Sequence, residues 1–462
     1  MSRYMEDEQW LLHQSQPRSL ESRKDPCVKT CITYFGAACV SFTLVLVGVF
    51  VFMIAYDVRK ADSTAAAIFP VKVRPQKHRP APILCHINVA RFYDSELLYK
   101  TTELPGNYCS HLVFPLRGFL SGGNETPDSP LTFGLVQSRL IELRDKVNNS
   151  FPHLKYLVAA GDENGGGRLA FHDTPNATAY MTFLVEMVRW LIQTRFDGLV
   201  LNSVFPMENE HRRHMAVFLS HLKQAMHKHG LLFVVTARWD TGIFKSGARP
   251  GRLSKFLDYV GVVTHSLHRA ANATDRILVP FHHQRGQKNS RSVEDSIDHV
   301  ISSGVPRSKV LITVSLAGYV CTVTQLPEKD EVPTWSSARA LRVVSYGEAC
   351  HLVRQPDWAL SYDHESEKPH AWRNNLWMGY EDEISVRKTA SLVDKMYLGG
   401  VLIWDVGNDD HTGRCGLTNP LVRAIFTEVE GTPIDDNPGA IIPSFNITDA
   451  DAHTGNKTKL SG

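Results

Sequence analysis

The sequence has no excess of charge of either sign. Its 50 lysines and arginines are nearly balanced by 48 aspartates and glutamates, giving a formal net charge of +2 at pH 7. Binding along a nucleic acid needs a concentrated basic surface, because affinity comes from releasing the counterions of the phosphates. The composition therefore argues against a nucleic-acid partner. The 462 residues suffice for one large domain with appendages.

The sequence also lacks the ligand spacing of a metal site. Histidines cluster loosely at His265, His268, His282 and His283, but they do not follow the short, regular intervals that zinc ligands show. We predict that these are surface histidines. Neither a metal nor another cofactor is expected.

The sequence also lacks charged residues in one long segment near its N-terminus. No residue between Lys29 and Asp57 carries a formal charge, and residues 37–56 read AACVSFTLVLVGVFVFMIAY. About 20 apolar residues cover the roughly 30 Å hydrocarbon core of a bilayer. A cleaved signal peptide has a shorter apolar region and a short preceding stretch, and a buried core helix would have a polar face. The segment predicts an uncleaved transmembrane signal anchor, preceded by a cytosolic tail over residues 1–36.

Lysines and arginines flank this span on both sides, so charge does not orient it. Glycosylation sequons lie only after the span, and this asymmetry favours a type II membrane protein whose C-terminal domain is extracellular or in the Golgi or ER lumen. The sequons are at Asn124, Asn148, Asn176, Asn272, Asn446 and Asn456. Basic, proline-bearing residues 57–81 predict an extended stalk, and residues 428–462 predict a disordered tail.

Over residues 82–427, short β-branched runs alternate with helical patterns. Continuous apolar strands are typical of a parallel sheet covered by helices. The strand candidates are ILCHIN (83–88), HLVFPL (111–116), KYLVAA (155–160), GLVLNSV (198–204), LLFVVTA (231–237), YVGVVTH (259–265), KVLITVSL (309–316) and GGVLIWD (399–405). Eight alternations predict an α/β fold, a (β/α)8 TIM barrel.

An open doubly wound sheet is the alternative to the barrel, but the Gly-rich phosphate loop after its first strand is missing. The interval between the seventh and eighth strands is too long for one helix. Residues of about 318–383 therefore predict a small α+β insertion there.

The fourth strand is the place to look for chemistry, because active sites of this fold lie where the strands end. It lies within FDGLVLNSVFP, residues 196–206. Side chains alternate along a strand, so Val200, Asn202 and Val204 share one face and form a ladder toward the mouth of the barrel.

This strand resembles the signature of the family 18 glycoside hydrolases, the chitinases and chitinase-like lectins, which reads DGxDxDxE. The chain keeps Phe196, Asp197, Gly198 and Pro206 of the longer pattern FDGxDxDWEYP. The resemblance extends over about residues 82–427. Its other motifs are PILCHINVARF, NYCSHLVFPLRGF, LKYLVAAGDENGG, YVGVVTHSLH, SVEDSIDHVISSGVPRSKVLITVSLAGY and NNLWMGYEDEISVRKTASLVDKMYLGGVLIWDVGNDD.

The family's chemistry makes the departures decisive. Its glutamate protonates the glycosidic oxygen, and an aspartate below it orients the substrate's acetamido group, whose oxygen attacks the sugar. Here the three acidic positions hold Val200, Asn202 and Val204. A valine has no proton to give, so the resemblance implies a catalytically inactive protein of the chitinase-like lectin type.

Trp404 is the part of the family's site that remains. It ends the eighth strand, where the family's tryptophan forms a platform under the sugar, and an aromatic face can pack on a pyranose without a catalytic neighbour. With Trp404 we group Asn202, His265 and Asp405 as ligand-binding candidates. The alternative is that Trp404 is only a core residue of the barrel.

An acid could also have moved to another position. Asp162 and Glu163 follow the third strand, Asp240 follows the fifth, and Asp405 follows the eighth. Carboxylates in loops are usually only solvated, so relocated catalysis is the weaker hypothesis.

Five cysteines follow the predicted span, and an odd number leaves one thiol over. The family resemblance implies the disulfides Cys85–Cys109 and Cys350–Cys415, which leaves Cys321 free.

Three functional interpretations follow. The first is a membrane-anchored, non-catalytic glycoprotein that binds chitin-type or other N-acetylglucosamine-containing glycans. The second is a degenerate barrel that serves as a scaffold for a protein partner. The third is a glycoside hydrolase (chitinase) with a relocated catalytic acid.

Overall fold

The structure is a computed structural model in which the described residues are 81–92, 99–116, 130–161, 177–202, 209–238, 250–264, 277–282, 292–324, 332–334 and 336–431. The chain divides into two units, Met1–Gln76 and Lys77–Gly462, and all the described residues belong to the second. Within this described part, no helix is long and apolar enough to cross a bilayer. The predicted anchor at 37–56, the stalk up to residue 80 and the predicted tail from residue 432 onward lie outside it. Residues 428–430, which the sequence assigns to that tail, belong instead to the last helix.

Eight parallel strands close into a barrel, as the alternation of the sequence predicts. Each predicted run contains one of them. They are β1 (Ile83–His86), β2 (His111–Leu116), β3 (Lys155–Ala160), β4 (Gly198–Asn202), β5 (Leu232–Ala237), β6 (Tyr259–Val262), β7 (Val310–Ser315) and, last in the chain, β13 (Gly400–Trp404). Their order around the barrel is β1-β13-β7-β6-β5-β4-β3-β2, so the first and last strands pair and no open edge remains.

Helices connect the strands. Those of the described residues are α1 (Pro130–Ser150), α2 (Ala177–Gln193), α3 (Asn209–His227), α4 (Pro250–Leu253), α5 (Val293–Ser302), α6 (Tyr346–Val353), α7 (Glu383–Ala390), α8 (Leu392–Lys395) and α9 (Pro420–Glu430). Several begin at a side-chain cap that satisfies a free backbone N–H group. Ser292 accepts from the amide of Asp295 (3.0 Å) at α5, and Asp382 accepts from the amide of Ser385 (2.7 Å) at α7.

An antiparallel sheet with one helix, α6, occupies the chain between β7 and α7, where the sequence predicts the insertion. The sheet has five strands in the order β10-β11-β12-β8-β9. They are β8 (Gly318–Val323), β9 (Ala338–Val344), β10 (Ala359–Asp363), β11 (Lys368–Arg373) and β12 (Leu376–Gly379). The sheet buries apolar side chains on both of its faces, in two separate clusters.

The alternation of side chains along the barrel strands separates two cores. On β4, Leu199 and Leu201 point outward into the cluster between sheet and helices, while Val200 belongs to a smaller cluster to which all eight barrel strands contribute. A barrel of eight strands is just wide enough to be filled by side chains. The second cluster is therefore the packed interior of the barrel.

Two disulfides join distant parts of the chain, and they are the pairs that the family resemblance implies. Cys85 on β1 bonds to Cys109 just before β2, with Cα atoms 6.0 Å apart. Cys350 on α6 bonds to Cys415, which follows β13, with Cα atoms 6.3 Å apart. The second bond ties the insertion to the end of the barrel, and Cys321 is a buried free thiol on β8.

Candidate functional site

The lower position of the predicted ladder is apolar in its surroundings as well as in itself. Val200 is fully buried. Its register neighbours are Ala159 on β3 and Val234 on β5, and all three belong to the interior cluster. The family resemblance places an acid at position 200. In this chain the side chains beside that position are apolar.

The next position, Asn202, is polar and buried, with 3% of its surface exposed. The hydroxyl of Thr236, its register neighbour on β5, donates to Asn202 Oδ1 at 2.5 Å. Thr236 therefore engages the amide oxygen of Asn202, and Nδ2 has no hydrogen-bond partner among the described residues.

The backbone around Asn202 requires a glycine on the neighbouring strand. Gly161 follows β3 with φ at +101°, and a Cβ added to it would overlap the carbonyl oxygen of Asn202. Only glycine adopts this conformation without strain. The third and fourth strands can therefore approach each other closely at the level of Asn202.

Hydroxyl groups continue the polar layer on β6 and β7, the strands next to β5 around the barrel. Thr313 on β7 is buried, and its Oγ1 donates to the carbonyl oxygen of Val262 (3.0 Å) and accepts from the amide of Thr264 (3.0 Å). The Thr264 hydroxyl in turn donates to the carbonyl oxygen of Thr313 (2.7 Å). These bonds hold the ends of β6 and β7 together with neutral groups.

Trp404 ends β13 and is half-buried. Its ring stacks on the ring of His86, the last residue of β1, with centroids 4.3 Å apart and planes 20° from parallel. His86 is 1% exposed, so it supports the indole from the protein side. Trp404 also packs against the interior cluster. Both the core role and the platform role weighed from the sequence are compatible with this position.

Asp405 is the one candidate for a relocated acid that falls in the described part of the chain, and it is half-buried directly after Trp404. The other candidates, together with Val204 and His265, lie outside the described residues; they are Asp162, Glu163 and Asp240. His282 is an exposed surface residue, with ring nitrogens 3.1 Å from Glu294 and 3.4 Å from Glu367.

Of the described residues, one group has the side chains of a possible metal site: Cys350, Asp410 and Cys415. Its two sulfur atoms form the second disulfide, and Asp410 Oδ2 accepts from the amide of Cys415 at 2.6 Å. The sulfurs are therefore engaged with each other, and the carboxylate holds the turn.

Asn148 is the predicted glycosylation site that the structure describes. It is exposed near the end of α1, with Asn149 and Ser150 of its sequon exposed beside it. The other five sequons lie outside the described residues.

Sequence reasoning missed His86 and Thr236. Both lie at the mouth ends of their strands and face Trp404 and Asn202 respectively. The alternation that was applied to β4 contains the signal, since His86 lies two residues after Leu84 of the interior cluster and Thr236 two residues after Val234. The alternation of side chains had to be followed along every barrel strand, and not only along β4, to find these two residues.

The fold and the site together define a class: a glycosidase-type (β/α)8 barrel whose fourth strand, as described, ends in an amide instead of a carboxylate. Residues 88–409 match the family described as "Glycosyl hydrolases family 18". The match covers more than half of the chain, which therefore belongs to the family 18 glycosyl hydrolases.

Relatives of known name are distant. Human Chitinase-3-like protein 2 is 22% identical over 352 residues, which are 69% of this chain and 84% of that protein. The Endochitinase of Manduca sexta is 23% identical over 394 residues, 79% of this chain and 70% of that protein. The "Probable chitinase 10" of Drosophila melanogaster is 22% identical over 396 residues, and the aligned part is 17% of that protein's length.

Solved structures share the fold at similarly low identity. The Group IV chitinase of Ostrinia furnacalis superposes with a TM-score of 0.64 at 19% identity, over 76% of this chain and all of that chain. Human YKL-39, described as a pseudo-chitinase with retained chitooligosaccharide binding properties, superposes with a TM-score of 0.61 at 21% identity, over 76% of this chain and all of that chain. The family thus includes both active chitinases and chitinase-like proteins.

Proposed function

We propose that this chain is a catalytically inactive member of the family that binds chitin-type or other N-acetylglucosamine-containing glycans at the mouth of the barrel. The observation that carries the proposal is the half-buried Trp404 at the end of β13, supported from below by the buried ring of His86. An indole held in this way offers one face to the apolar side of a pyranose. A pseudo-chitinase with the same fold is reported to retain chitooligosaccharide binding.

The absence of catalysis is proposed from the fourth strand. General acid catalysis needs a side chain that can hold and release a proton, and the family's position for it is Val204 in this sequence. Val200 lies in an apolar layer, where an ionised carboxylate would have no partner. Asn202 can bind a ligand through Nδ2, but it cannot supply negative charge to a developing cation.

The neutral groups at the mouth also favour an uncharged ligand. Within the described part of the chain, Asn202 Nδ2 is a buried donor that meets no acceptor. A buried donor of this kind costs free energy until an acceptor arrives. A sugar hydroxyl or an acetamido carbonyl oxygen supplies such an acceptor.

Binding and hydrolysis of chitooligosaccharides by the full-length chain test the proposal together. We expect saturable binding without product above background. Trp404→Ala should weaken binding about tenfold, since aromatic packing contacts are worth about 0.5–1.5 kcal/mol beyond the area that they bury and about 1.4 kcal/mol corresponds to tenfold in affinity. Trp404→Phe should retain part of the affinity. Trp190→Ala, which removes an indole stacked on Phe196 outside the barrel, is the matched control and should leave affinity unchanged.

The other outcomes separate the alternatives. Cleavage that depends on Asp405, Asp162, Glu163 or Asp240 would overturn the inactive assignment in favour of a relocated acid. If the chain neither binds nor cleaves chitooligosaccharides, the protein-interaction scaffold is the hypothesis that remains. Restoring Val200→Asp, Asn202→Asp and Val204→Glu together should produce little hydrolysis. In the motif YVGVVTHSLH, His265 and Ser266 stand where the resemblance places a tyrosine and an aspartate of the family's MxYD motif, so groups that hold the substrate are also replaced.

We further propose that the chain is a type II membrane protein, anchored by residues 37–56, with the barrel on the extracellular or lumenal side. The support is the absence of charge from that segment and the position of all six sequons after it.

A further inference from the structure

A basic surface lies at the end of the barrel opposite the mouth. Parallel strands all begin at that end, so the segments before β5, β6 and β7, which are neighbours around the barrel, lie there side by side. Each of these segments carries an exposed lysine or arginine. They are Lys228 before β5, Arg252 and Lys255 before β6, and Arg307 before β7. We call these residues the basic patch.

Direct contacts join the segments before β6 and β7. Gly251 lies so close to Gly304 that a Cβ atom added to Gly251 would be 2.7 Å from the carbonyl oxygen of Gly304. The half-buried Lys309 donates from Nζ to the carbonyl oxygens of Ser254 (2.8 Å) and Leu257 (2.6 Å). The backbone that carries the patch is therefore one packed surface and not a set of separate loops.

The protein supplies almost no negative charge to this surface. Residues 227–231, 250–258 and 303–309 are all described, and Asp258 is the one acid among them. Its carboxylate already accepts from the ammonium group of Lys223 on α3 (2.6 Å) and from the amide of Phe233 (2.7 Å). The side chains of the basic patch form no ion pair with any described residue. Their charge therefore faces solvent without compensation.

Lys309 shows how closely the cations of this end lie. Burial lowers the pKa of Lys309; Asp258 opposes the shift, and the charge of Lys223 adds to it. The ammonium groups are thus near enough to repel each other, and an anion bound beside them relieves that repulsion.

Arg307 is oriented and still has donors to offer. Its Nη1 donates to the carbonyl oxygen of Met396 at 3.1 Å. A guanidinium carries five N–H donors, so one bond fixes the side chain and leaves the others for an oxyanion. The planar arrangement of these donors suits groups with two or more negatively charged oxygens.

The extent of the patch indicates the kind of anion. Neighbouring strands are about 4.8 Å apart, so a patch over three strand starts extends over about 10 Å. One small anion does not reach all of its side chains, whereas a chain with repeated negative charges does. On the extracellular or lumenal side, where the proposed topology places the barrel, the polymers with this property are sulfated and carboxylated polysaccharides.

We propose that the basic patch binds an anionic polysaccharide while the mouth of the same barrel binds a neutral glycan. The choice of a polysaccharide rests on the proposed extracellular or lumenal position of the barrel, and the neutral glycan rests on the proposed function. The patch itself does not depend on Trp404. Because the two sites lie at opposite ends of the barrel, one chain should hold both ligands at once.

The test measures binding of the full-length chain, in a nonionic detergent, to fluorescent heparin and to hyaluronan, which carries carboxylates but no sulfates. We expect saturable heparin binding that weakens at least about tenfold between about 0.1 and 0.5 M salt, because salt screens exposed charges. Trp404→Ala should leave this affinity unchanged, and saturating chitopentaose should not compete. Equal binding of hyaluronan would identify the carboxylate as the group recognised, and binding of heparin alone would identify the sulfate.

Charge reversal locates the contact. The test variant changes three exposed side chains that pair with no described residue: Lys228→Glu, Arg252→Glu and Lys255→Glu. It should lower heparin affinity at least about tenfold, as expected when several contacts to a polyanion are lost. The control variant changes the net charge equally at exposed arginines away from the patch: Arg339→Glu, Arg342→Glu and Arg414→Glu. It should keep the affinity within about twofold.

Thermal unfolding checks that both variants fold. If the glutamate variant of the patch does not, a milder one removes the charges without adding carboxylates, and it should also weaken heparin binding: Lys228→Gln, Arg252→Gln and Lys255→Gln.

Several results would overturn the proposal: no binding of either polysaccharide, competition by chitopentaose, an equal loss in the patch and control variants, or equally tight binding of DNA of the same length. A barrel that proves to be cytosolic would overturn it as well. If heparin binds through the patch but the mouth binds no chitooligosaccharide, the proposed function fails and the patch assignment stands.

Discussion

At the scale of single residues, the interior of the barrel explains why this chain cannot simply regain an acid. Val200 is fully buried in an apolar cluster, between Ala159 and Val234 of the neighbouring strands. We expect Val200→Asp to lower the free energy of unfolding by several kcal/mol at pH 7, and Val200→Ala, which only removes volume, to lower it by about 1–3 kcal/mol. Chemical denaturation of both variants measures the difference.

The difference in unfolding free energy between Val200→Asp and Val200→Ala should depend on pH if a buried carboxylate causes it. Burial raises the pKa of an aspartate, so the folded state favours the protonated form and loses stability as pH rises through that pKa. The gap between Val200→Asp and Val200→Ala should therefore narrow at pH 5. A gap that does not change with pH would contradict a buried carboxylate.

Cys321 gives a second prediction at this scale. The thiol is fully buried on β8, opposite Trp377 on β12, and burial raises the pKa of Cys321 to about 11. The thiolate is the reactive form, so iodoacetamide at pH 8 should not label Cys321 in the folded protein and should label it after denaturation. Peptide mapping that found Cys321 in a bridge to Cys350 or Cys415 would overturn both this prediction and the cysteine pairing.

At the scale of elements, α9 is held by an acid that comes well before it in the chain. Asp409 accepts from the amides of Leu421 (3.3 Å) and Val422 (2.9 Å) in the first turn, and from the amide of Asp410 (2.8 Å). These bonds favour the carboxylate, but complete burial outweighs them and raises the pKa of Asp409 to about 7. The first turn of α9 is thus coupled to pH through Asp409.

The sign of this coupling follows from the direction of the shift. Since the folded-state pKa lies above the ordinary value of 3.8, Asp409 contributes stability that is complete below about pH 4 and is lost as pH rises toward 7. The difference in unfolding free energy between the wild type and Asp409→Asn should shrink by up to about 4 kcal/mol over that interval. Denaturation curves at pH 4.5, 6 and 7.5 check this trend, which a constant or growing difference would exclude.

The insertion shows how an element is placed relative to the barrel. The Cys350–Cys415 bond joins α6 to the segment after β13, and the side chain of Arg354 donates to the carbonyl oxygen of Cys415 at 2.8 Å. Replacing both cysteines by alanine should cost about 2–4 kcal/mol, which thermal unfolding measures against the same change at Cys85 and Cys109. A loss of under about 0.5 kcal/mol would show that the bond does not constrain the unfolded chain.

At the scale of the whole molecule, the predicted topology decides which side of a membrane the barrel occupies. If the type II interpretation is right, protease added to intact microsomes should remove only the N-terminal tail, a loss of a few kilodaltons, and the sequons should be glycosylated. Detergent-opened microsomes are the control, in which the protease also reaches the barrel. Loss of the glycosylated bulk from intact microsomes would refute the type II orientation.

The sequence by itself determined the barrel. Period-2 alternation and helical periodicity are local properties, and β-branched runs buried on both faces leave few architectures other than a parallel sheet covered by helices. The same local signal placed Val200 and Asn202 on the inner face of β4, and the chemistry of the side chains alone excluded Val200 as an acid.

Only the tertiary structure decided which groups meet at the mouth. His86 and Trp404 are separated by more than 300 residues, and they stack because closing the barrel makes β1 and β13 neighbours. The hydroxyl of Thr236 donates to Asn202 Oδ1 because the register between β4 and β5 places the two residues side by side. Contacts between distant segments depend on closure of the barrel and on the register between neighbouring strands. Neither can be predicted from local sequence patterns.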